Sequence, residues 1–484
     1  MTTQSNPNNQ RKVILKDPVA CYNREISDGN PQDLQALKNL CEQYRSEQKQ
    51  HKLLQEKTRQ LSRQIGEAKK MGDSIDQLKK QTQEKSGQAK NIAKQIKTSE
   101  ENILQYFSAV LNMKTQLDDS TITTPVPELS VHPYPNTDKS IGEITVSLLS
   151  NEEPQWNQYV DKNPACSIYH RYEWKQVIED TFGHQTYYYI ARNTQNEVVG
   201  LLPLIRLKSV LFGDFLVSMP YFNYGGAIAD HSEIEQQLMT TANTLAEKLQ
   251  VQHIEYRDDI SRANLPVQTN KVNMILALPS DEDGLWQGFT PKLRAQIKRP
   301  QRENPEVFIG KDELLDEFYN VFAHNMRDLG TPVYARSFFK NILTTFPLNS
   351  HILVIRWQGQ PVAAAFLIGH NDTLEIPWAS TLRKVNHLSM NMLMYWEVLR
   401  FAIKKNYKQF DFGRSTRGAG TYRFKLQWGA KPKPLYWHYW LPEKSELPSL
   451  NPSNPKYALM IYVWKRLPVF VTRWLGPLLV KNLP

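Results

Sequence analysis

Apolar residues recur at alternating steps of three and four between residues 31 and 112, a region almost free of proline. The first run comprises Leu37, Leu40, Tyr44, Leu54, Leu61, Ile65 and Ala68, and the second comprises Ile75, Leu78, Ala89, Ile92, Ile96, Ile103, Tyr106 and Val110. Between the runs, Gly72 suits a helix C-terminus and Asp73 or Ser74 suits an N-cap. The pattern predicts two helices of about 40 residues, each roughly 60 Å long, in an antiparallel coiled-coil hairpin.

From about Ile141 the pattern changes to short strands that alternate with amphipathic helices. Strands predicted at Thr186–Arg192 and Glu197–Leu207 are followed by a helix at Ile234–Gln250 and by the strand "HIEYR". A second round starts near Lys271 and ends with the helix "MNMLMYWEVLRFAIKKN" and the strand "QFDFG". The same order of elements occurs twice: a strand pair, a strand, a helix and a strand. This repetition predicts a duplicated α+β fold.

Composition and charge narrow the class of protein. A chain of 484 residues predicts two or three domains, and a net charge of +10 favours an anionic partner such as nucleic acid or a lipid surface. Its cysteines, Cys21, Cys41 and Cys166, suggest neither a disulfide framework nor a zinc site. The N-terminus has no apolar signal region, and no run of about 18 apolar residues is present, so a cytoplasmic protein is expected.

The distal half of the predicted hairpin is strongly basic. From His51 to Lys97, twelve lysines and arginines stand against five acidic residues, an excess of seven positive charges. A solvated or partner-binding coiled coil is one interpretation, since such helices are often rich in lysine. The alternative is a projecting arm that binds a phosphate backbone. On that hypothesis the nucleic-acid-binding residues are Lys57, Arg59, Arg63, Lys69, Lys70, Lys79 and Lys80.

This arm resembles the N-terminal tRNA-binding arm of bacterial seryl-tRNA synthetases. The residues that carry the resemblance are Ser62, Arg63, Ile65, Gly66, Ala68, Lys69 and Gly72. The proline-rich segment Thr123–Pro133 is similar to the linker that leaves that arm. The resemblance covers about residues 10–130 and implies tRNA, in particular serine tRNA, as a partner. The catalytic domain of the synthetase does not follow.

The segment Phe410–Gly429, "FDFGRSTRGAGTYRFKLQWG", carries four cations among aromatic residues and glycines. Arg423 and Lys425 alternate with Tyr422 and Phe424, so an extended segment would place the cations on one face. A cationic face suits a phosphate, or the oxyanion that forms when an ester carbonyl is attacked. From the residues alone, an edge hairpin with a salt bridge between Asp411 and Arg414 stays open as the alternative.

The stretch Asp411–Tyr436 is similar to the C-terminal signature of FemAB-like proteins associated with exosortase and exopolysaccharide loci. Met219–Asp230, His253–Asp258 and Lys292–Val307 match three further stretches of that family in the same order. The resemblance covers about residues 145–484 and implies an α+β chain in which the coiled-coil hairpin precedes two tandem GNAT-like acyltransferase domains. The predicted regions are the arm (1–120), a proline-rich linker (121–140), a first domain (141–270), a second domain (271–445) and a basic, aromatic tail (446–484).

The resemblance also directs attention to particular side chains. The predicted catalytic residues are Asp411, Arg414, Tyr422 and Lys425, and the predicted substrate-binding residues are Asn223, Tyr224, Arg294, Arg423 and Trp428. Tyr422 and Trp428 would stack on a base or sugar. A solvated helix face is the alternative for Arg294, and a plain turn is the alternative for Asn223 and Tyr224. His170 is a candidate base, with a structural role as the alternative.

The segment after the fourth strand of the second domain bears on the identity of the acyl donor. Enzymes of this fold that use coenzyme A carry a glycine-rich loop after the fourth strand, where backbone amides hold the pyrophosphate. The equivalent segment here, Thr381–Asn391, contains no glycine. This absence argues against acyl-CoA, and the resemblance of the arm to that of seryl-tRNA synthetases implies aminoacyl-tRNA as the donor substrate, with no bound cofactor and with acyl-CoA as the alternative. No cluster of metal ligands is evident, so no metal is predicted.

The tail Tyr457–Pro484 mixes bulky apolar residues with tryptophan and cations. This composition is typical of a segment at a membrane interface, and Pro468 and Pro477 keep it short of a spanning helix. Peripheral contact with the inner face of the cytoplasmic membrane and docking onto the protein's own core both stay open.

The leading hypothesis is a cytoplasmic transferase that moves an aminoacyl group, serine by the arm's resemblance, from tRNA to an amine on a cell-envelope or exopolysaccharide precursor. The first alternative is an acyl-CoA-dependent N-acyltransferase of a nucleotide- or lipid-linked amino sugar. The second is a non-enzymatic scaffold in exopolysaccharide assembly.

Overall fold

The structure, a computed structural model, describes residues 31–71, 75–121, 142–150, 153–210, 212–262, 265–443, 447 and 455–483. The chain forms two compact units, Met1–Glu128 and Leu129–Pro484. The predicted linker at 121–140 lies almost entirely outside the described residues. Among the helices that the structure describes, each is too short or too polar to cross a bilayer.

The first unit contains the two predicted long helices, α1 (Pro31–Met71) and α2 (Asp76–Thr121). Leu54 of α1 packs with Ala89 and Ile92 of α2. Nearer the start of α1, the Tyr44 hydroxyl donates to Glu100 Oε1 at 2.9 Å. Residues further along α1 therefore meet residues earlier in α2, which is the antiparallel arrangement that the heptad pattern predicts.

The second unit contains the remaining elements. Its helices are α3 (Glu153–Lys162), α4 (Glu173–Phe182), α5 (Ser232–Leu249), α6 (Glu282–Gly288), α7 (Pro291–Gln301), α8 (Leu315–Leu329), α9 (Arg336–Thr345), α10 (Met390–Lys404), α11 (Gly420–Leu426), α12 (Pro455–Trp464) and α13 (Val469–Val480). Its strands are β1 (Thr145–Leu148), β2 (Gln185–Arg192), β3 (Val198–Ser209), β4 (Gly213–Val217), β5 (Ile228–Ala229), β6 (Ile254–Asp258), β7 (Val267–Gln268), β8 (Lys271–Ala277), β9 (Glu306–Gly310), β10 (Ser350–Trp357), β11 (Gln360–His370), β12 (Thr373–Thr381), β13 (Gln409–Thr416), β14 (Lys431–Pro434) and β15 (Tyr436–Trp440). Short 3₁₀ turns lie at Ile168–His170, Asp312–Leu314 and Arg383–Leu388.

The described strands form two sheets of the same design. The first has the order β1-β2-β3-β4-β6-β15-β7, with β5 also paired to β3, and the second has the order β14-β8-β13-β12-β11-β10-β9. Each sheet contains a parallel pair, β4 with β6 and β12 with β13. In each case a helix, α5 or α10, connects the two parallel strands. The α+β fold with a duplicated acyltransferase-like arrangement is confirmed.

The second sheet is buried on both faces, as its apolar strands predict. Along β10, Ile352 and Val354 pack into the apolar cluster with α8 and α9, whereas Leu353 and Ile355 pack into the cluster with α6, α7 and α10. The first of these clusters also contains Trp174 of α4. The two halves therefore share one core and form one unit.

Two segments join the sheets. The strands β7 and β8 run antiparallel to β15 and β14, so that Lys431 pairs with Ile275 and His438 pairs with Val267. On its other edge β8 pairs with β13, and β15 pairs with β6 of the first sheet. We call these four strands, β7, β8, β14 and β15, the junction ladder. The predicted boundary between residues 270 and 271 falls inside this ladder, and the domain limits stay a prediction.

One local prediction is wrong. The residues from Gly420 to Leu426 form helix α11, not an extended segment with alternating faces. Arg423 and Lys425 therefore do not share a face as they would in a strand. The salt bridge proposed for an edge hairpin is not formed either, because Asp411 binds Tyr224, Asn273 and a backbone amide instead.

A buried polar network holds the junction ladder to the first sheet. Asp258 of β6 accepts a hydrogen bond from His438 Nδ1 at 2.8 Å and two from the Arg262 guanidinium at 2.8 and 2.9 Å. The Arg262 amide donates to His438 Nε2 at 3.0 Å, so both ring nitrogens of His438 are engaged in hydrogen bonds. Beside it, the Tyr439 hydroxyl donates to Glu255 at 2.8 Å.

We expect Asp258→Ala to lower the free energy of unfolding by about 3–5 kcal/mol, because it leaves buried donors without their anion. The matched control is Lys433→Gln in the same ladder, whose pair with Asp259 is partly exposed and contributes about 1 kcal/mol or less. Urea unfolding followed by circular dichroism measures both. Equal losses in the two variants would contradict a structural role for the Asp258 network.

Candidate active site

A cavity of about 590 Å³ lies where residues from both halves of the second unit meet. The first half contributes Tyr224, Gly226, Arg257 and Asp258, among others, and the second half contributes Glu375 and Asp411. The cavity therefore depends on the pairing that the junction ladder imposes. Its lining is rich in ionisable side chains.

Two buried carboxylates form the acidic part of the cavity wall. Glu375 on β12 and Asp411 on β13 are direct partners in the parallel pair, and they are 6% and 2% exposed. Tyr169 donates its hydroxyl to Glu375 Oε2 at 2.7 Å. Tyr224 and the Asn273 side-chain amide donate to Asp411 Oδ2 at 2.9 and 2.8 Å. We call Glu375 and Asp411 the carboxylate pair.

Burial of two like charges side by side disfavours their ionisation. Burial raises the pKa of Glu375 well above its usual range, and the negative charge of Asp411 raises it further. Burial also raises the pKa of Asp411, although hydrogen bonds from the Gly413 amide and Tyr224 offset part of this effect. The pair therefore holds a proton at a higher pH than ordinary carboxyl groups do. Such a pair suits the transfer of a proton to or from a bound amine.

The turn after Asp411 is held by Lys425. The Gly413 amide donates to Asp411 Oδ1 at 2.7 Å, and Gly413 has a φ of +74°, a conformation that favours glycine. Lys425 Nζ donates to the carbonyls of Gly413 and Arg414 at 2.8 and 3.0 Å. Burial lowers the pKa of Lys425 to about 8. Lys425 does not line the cavity, so this geometry favours a positioning role over the predicted catalytic one.

Two guanidinium groups and a tryptophan form a cationic cluster beside the cavity, and of the three residues only Arg257 lines it. The Arg257 and Arg414 guanidinium carbons lie 4.4 and 4.7 Å from the centre of the Trp437 ring. Arg257 is buried, and its Nη2 has no hydrogen-bond partner among the residues that the structure describes. More than a third of Arg414 is exposed. The surrounding protein nevertheless partly desolvates its guanidinium, and this desolvation and the positive charge of Arg257 lower the pKa of Arg414 to about 10. We call Arg257, Arg414 and Trp437 the cationic pole, which suits an anionic group.

The structure brings some of the predicted site residues together. The Tyr224 hydroxyl donates to Asp411. Asn223 lies close to Gly413, because a Cβ atom built on Gly413 would be 4.0 Å from Asn223 Nδ2. Trp428 is only 1% exposed and packs in the apolar core, so the predicted stacking on a ligand does not fit its position.

Three other predicted residues, Tyr422, Arg423 and Arg294, lie outside the cavity lining. Tyr422 packs against the apolar cluster that contains Trp428. The guanidinium of Arg423 binds the Gly418 carbonyl, and Arg294 lies on α7, where it reaches the Trp286 carbonyl at 3.4 Å. His170, by contrast, lines the cavity, and its ring binds the Ser167 amide and the Gly226 carbonyl.

Sequence reasoning missed Glu375, Tyr169, Asn273 and Arg257. Glu375 was visible as an acidic residue inside the apolar strand "TLEIPWAS", and such a residue needs a buried partner. Its neighbour in space, Asp411, follows only from the register of β12 against β13. Tyr169 and Arg257 come from the other half of the unit, and no local pattern indicates their position.

The turn between β12 and α10 is the segment equivalent to the pyrophosphate loop of CoA-dependent enzymes, and its sequence predicts that no such loop is present. It forms a 3₁₀ turn at Arg383–Leu388 that ends at Ser389, whose φ is +62°. Val385 and Leu388 are buried, and the Arg383 guanidinium binds the Asp328 carbonyl and lies 3.6 Å from its carboxylate. This turn lacks the glycine-rich cradle that pyrophosphate binding uses. Among the described residues, no group of three or more histidine, cysteine or acidic side chains is arranged to hold a metal ion.

We expect Glu375→Gln to weaken the pH dependence of stability. A raised carboxyl pKa in the folded state means that the folded protein binds more protons than the unfolded chain, so stability is highest at acidic pH and falls as pH rises through the folded pKa. A folded pKa that lies one pH unit above the unfolded pKa corresponds to about 1.4 kcal/mol of stability. Urea unfolding between about pH 5 and about pH 8 should show a smaller loss in the variant than in the wild type. Exposed Glu303→Gln is the control, and a slope in Glu375→Gln as steep as that of the wild type would contradict the buried pair.

Comparison with known proteins places these features in context. The family model "Acetyltransferase (GNAT) domain" matches residues 291–426, and the family model "Seryl-tRNA synthetase N-terminal domain" matches residues 11–114. No curated protein sequence matches the chain.

Three solved structures that are similar share low identity with the chain. FemX has 12% identity and a TM-score of 0.48 over 60% of this chain and 96% of its own. A tandem GNAT protein from the clavulanic acid biosynthesis pathway has 12% identity and a TM-score of 0.40, over 63% and 100%. L-PGS from Bacillus licheniformis has 13% identity and a TM-score of 0.41, over 70% and 99%. The predicted combination is confirmed by the family models: a region of the seryl-tRNA synthetase N-terminal type precedes an acyltransferase region of the GNAT type on one chain.

Proposed function

We propose that this chain transfers an aminoacyl group, serine, from tRNA to an amine on a cell-envelope or exopolysaccharide precursor in the cytoplasm. The observation that carries the proposal is the presence, on one chain, of a seryl-tRNA synthetase-like region and a GNAT acyltransferase region. The first supplies a means of binding the donor, and the second supplies the site of transfer. An ester-linked aminoacyl group and a free amine need no redox or metal chemistry to form an amide.

The exposed cations of the arm support tRNA as the donor. Lys57, Arg59 and Arg63 on α1 and Lys79 and Lys80 on α2 all have exposed side chains. They lie in the C-terminal half of α1 and at the start of α2, which are adjacent in the antiparallel pair, so they form one basic end of the hairpin. Such a surface binds a phosphate backbone and releases its counterions. Lys69 and Lys70 lie on α1, but their side chains are outside the described set.

The carboxylate pair supports an amine as the acceptor. An alkylamine is protonated at neutral pH, and an ammonium group is attracted to an acidic wall. Loss of its proton to Glu375 or Asp411 frees the nitrogen lone pair. The nitrogen then attacks the carbonyl carbon of the aminoacyl ester, the amide C–N bond forms, and the C–O bond to the tRNA ribose breaks. The ribose oxygen leaves and takes up the second proton that the nitrogen loses as the amide forms, while the carboxyl group releases the first proton to solvent, so the products are an amide, free tRNA and a proton.

The cationic pole supports a phosphate-bearing substrate. Arg257 and Arg414 have guanidinium groups over one tryptophan, and Arg257 presents a buried donor without a partner among the described residues. Phosphates of the tRNA end or of a nucleotide- or lipid-linked precursor fit this chemistry. A negative charge on the attacked carbonyl oxygen would be stabilised in the same way.

We expect Asp411→Asn to reduce transfer by about 10²–10⁴-fold, because general-base catalysis contributes that much. The rate of the wild type should rise with pH through the raised pKa of the carboxylate pair, and this rise should be lost in the variant. Transfer of radiolabelled serine from seryl-tRNA to a precursor extract measures the rate. Asp283→Asn, at an exposed position on α6, is the control. Full activity in Asp411→Asn with an unchanged melting temperature would remove the base from the mechanism.

We expect tRNA to bind the full chain with an affinity that falls steeply with salt, by a slope of about −0.9 for each duplex phosphate neutralised. Replacing Lys57, Arg59, Lys79 and Lys80 by glutamate should abolish binding and flatten the slope. The matched control replaces Lys38 and Arg45, which are exposed on α1 far from the turn, and should bind as the wild type does. Filter binding measures both, with serine tRNA competing better than other tRNAs. No binding at low salt would exclude tRNA as the donor.

The match to an acetyltransferase domain favours acyl-CoA as a second candidate donor. The turn at Arg383–Leu388 lacks the glycines that such a donor uses, which is why we place it second. Incubation with seryl-tRNA and labelled acetyl-CoA together shows which donor loses its acyl group. Consumption of acetyl-CoA alone would establish the second candidate, and loss from neither donor would leave the scaffold hypothesis.

A further inference from the structure

Helix α13 docks on the protein core through one face. Its buried residues Thr472, Gly476 and Val480 recur every four positions. Gly476 lies so close to the segment after α8 that an added Cβ would meet Val333 backbone atoms at 2.8 Å. The helix is also tied at its end, because the Tyr221 hydroxyl donates to the Lys481 carbonyl at 2.6 Å. These contacts hold α13 in a fixed orientation.

The outward side of α13, and of α12 before it, is apolar. On α13, Phe470, Trp474 and Leu478 also recur every four residues, and they are 74%, 72% and 55% exposed. On α12, three neighbouring side chains are about half exposed, namely Met460, Tyr462 and Val463. Water around so many large apolar groups is unfavourable, and a patch of this kind marks a binding surface. We call these six residues the tail face.

The charged side chains of the tail segment itself all have one sign. Residues 455–483 contain no aspartate or glutamate, and their cations are Lys456, Lys465, Arg466, Arg473 and Lys481. Lys465 and Arg466 are exposed, and the Arg466 guanidinium lies over the Tyr462 ring at 3.4 Å. A tryptophan and aliphatic side chains bordered by cations are the composition of a helix that lies in a membrane interface.

We propose that the tail face is a membrane-docking surface that inserts into the headgroup region of an anionic lipid bilayer. Charge complementarity selects this occupant, because an acidic lipid surface attracts the exposed Lys465 and Arg466 while the acyl chains cover the apolar side chains. The helices are already folded and docked, so binding costs little ordering entropy. This inference does not depend on the proposed transferase reaction, since the tail face contains none of the residues of the cavity.

The test uses the full chain with vesicles of phosphatidylcholine alone and of phosphatidylcholine with phosphatidylglycerol. Co-sedimentation should occur with the anionic vesicles only. Lys465→Glu with Arg466→Glu should weaken binding by about fivefold or more for each cation. Phe470→Ser with Trp474→Ser should abolish it, and both positions are exposed enough to leave the fold intact. The matched control is Leu348→Ser, an equally exposed apolar residue elsewhere, which should bind as the wild type does.

Four results would overturn the proposal. The first is no binding to anionic vesicles at low salt. The second is binding that survives both tail variants, which would assign it to another basic surface such as the arm. The third is a dimer in sedimentation velocity that Phe470→Ser with Trp474→Ser converts to a monomer, which would make the tail face an interface between two copies. The fourth is displacement of the protein from vesicles by inorganic phosphate as effectively as by lipid, which would show a plain anion site instead.

Discussion

The junction ladder pairs residues 267–277 with residues 431–440. It places β7 and β15 in the first sheet and β8 and β14 in the second sheet. On one side of the ladder, β8 pairs with β13 of the second sheet. On the other side, β15 pairs with β6 of the first sheet. The ladder therefore fixes the distance between the ends of the two parallel strand pairs. The cavity, the carboxylate pair and the cationic pole all lie at that junction, so the site exists only when the ladder is formed.

The unit treats its buried charges in two different ways. Around Asp258, every acceptor faces a cation or a histidine, and the group contributes to stability. Glu375 and Asp411 lie side by side in the interior, and hydroxyl and amide donors together with the charge of Lys425 only partly offset the effect of burial and repulsion. A buried pair of this kind costs stability and is kept where a proton must be exchanged. The contrast within one molecule separates structural electrostatics from chemistry.

The sequence predicted those features whose signals are local or periodic. The heptad pattern of Leu54 and Ile92 predicted the hairpin, and the repeated order of strands and helices predicted the duplicated fold. It failed at α11, because Tyr422 to Lys425 alternate as a strand would, while the Lys425 contact with two carbonyls in the preceding turn stabilises a helix. It also missed the Glu375 partner of Asp411, because 36 residues and an unpredictable register separate the two. Trp428 was predicted to stack on a ligand but is buried. The sequence pattern of an aromatic residue beside cations is the same in a core as in a binding site.

The late position of β15 in the sequence has a consequence for the folding of the chain. Residues 254–258 leave the ribosome long before residues 436–440, with which they pair. Until then the first sheet has an open edge beside β6, and Asp258 lacks His438. Contacts of such sequence separation form slowly, and an unpaired edge invites pairing with other chains. The first half is therefore the part of the nascent polypeptide that most needs protection by chaperones, and truncated products that end before β14 should be substrates for proteolysis.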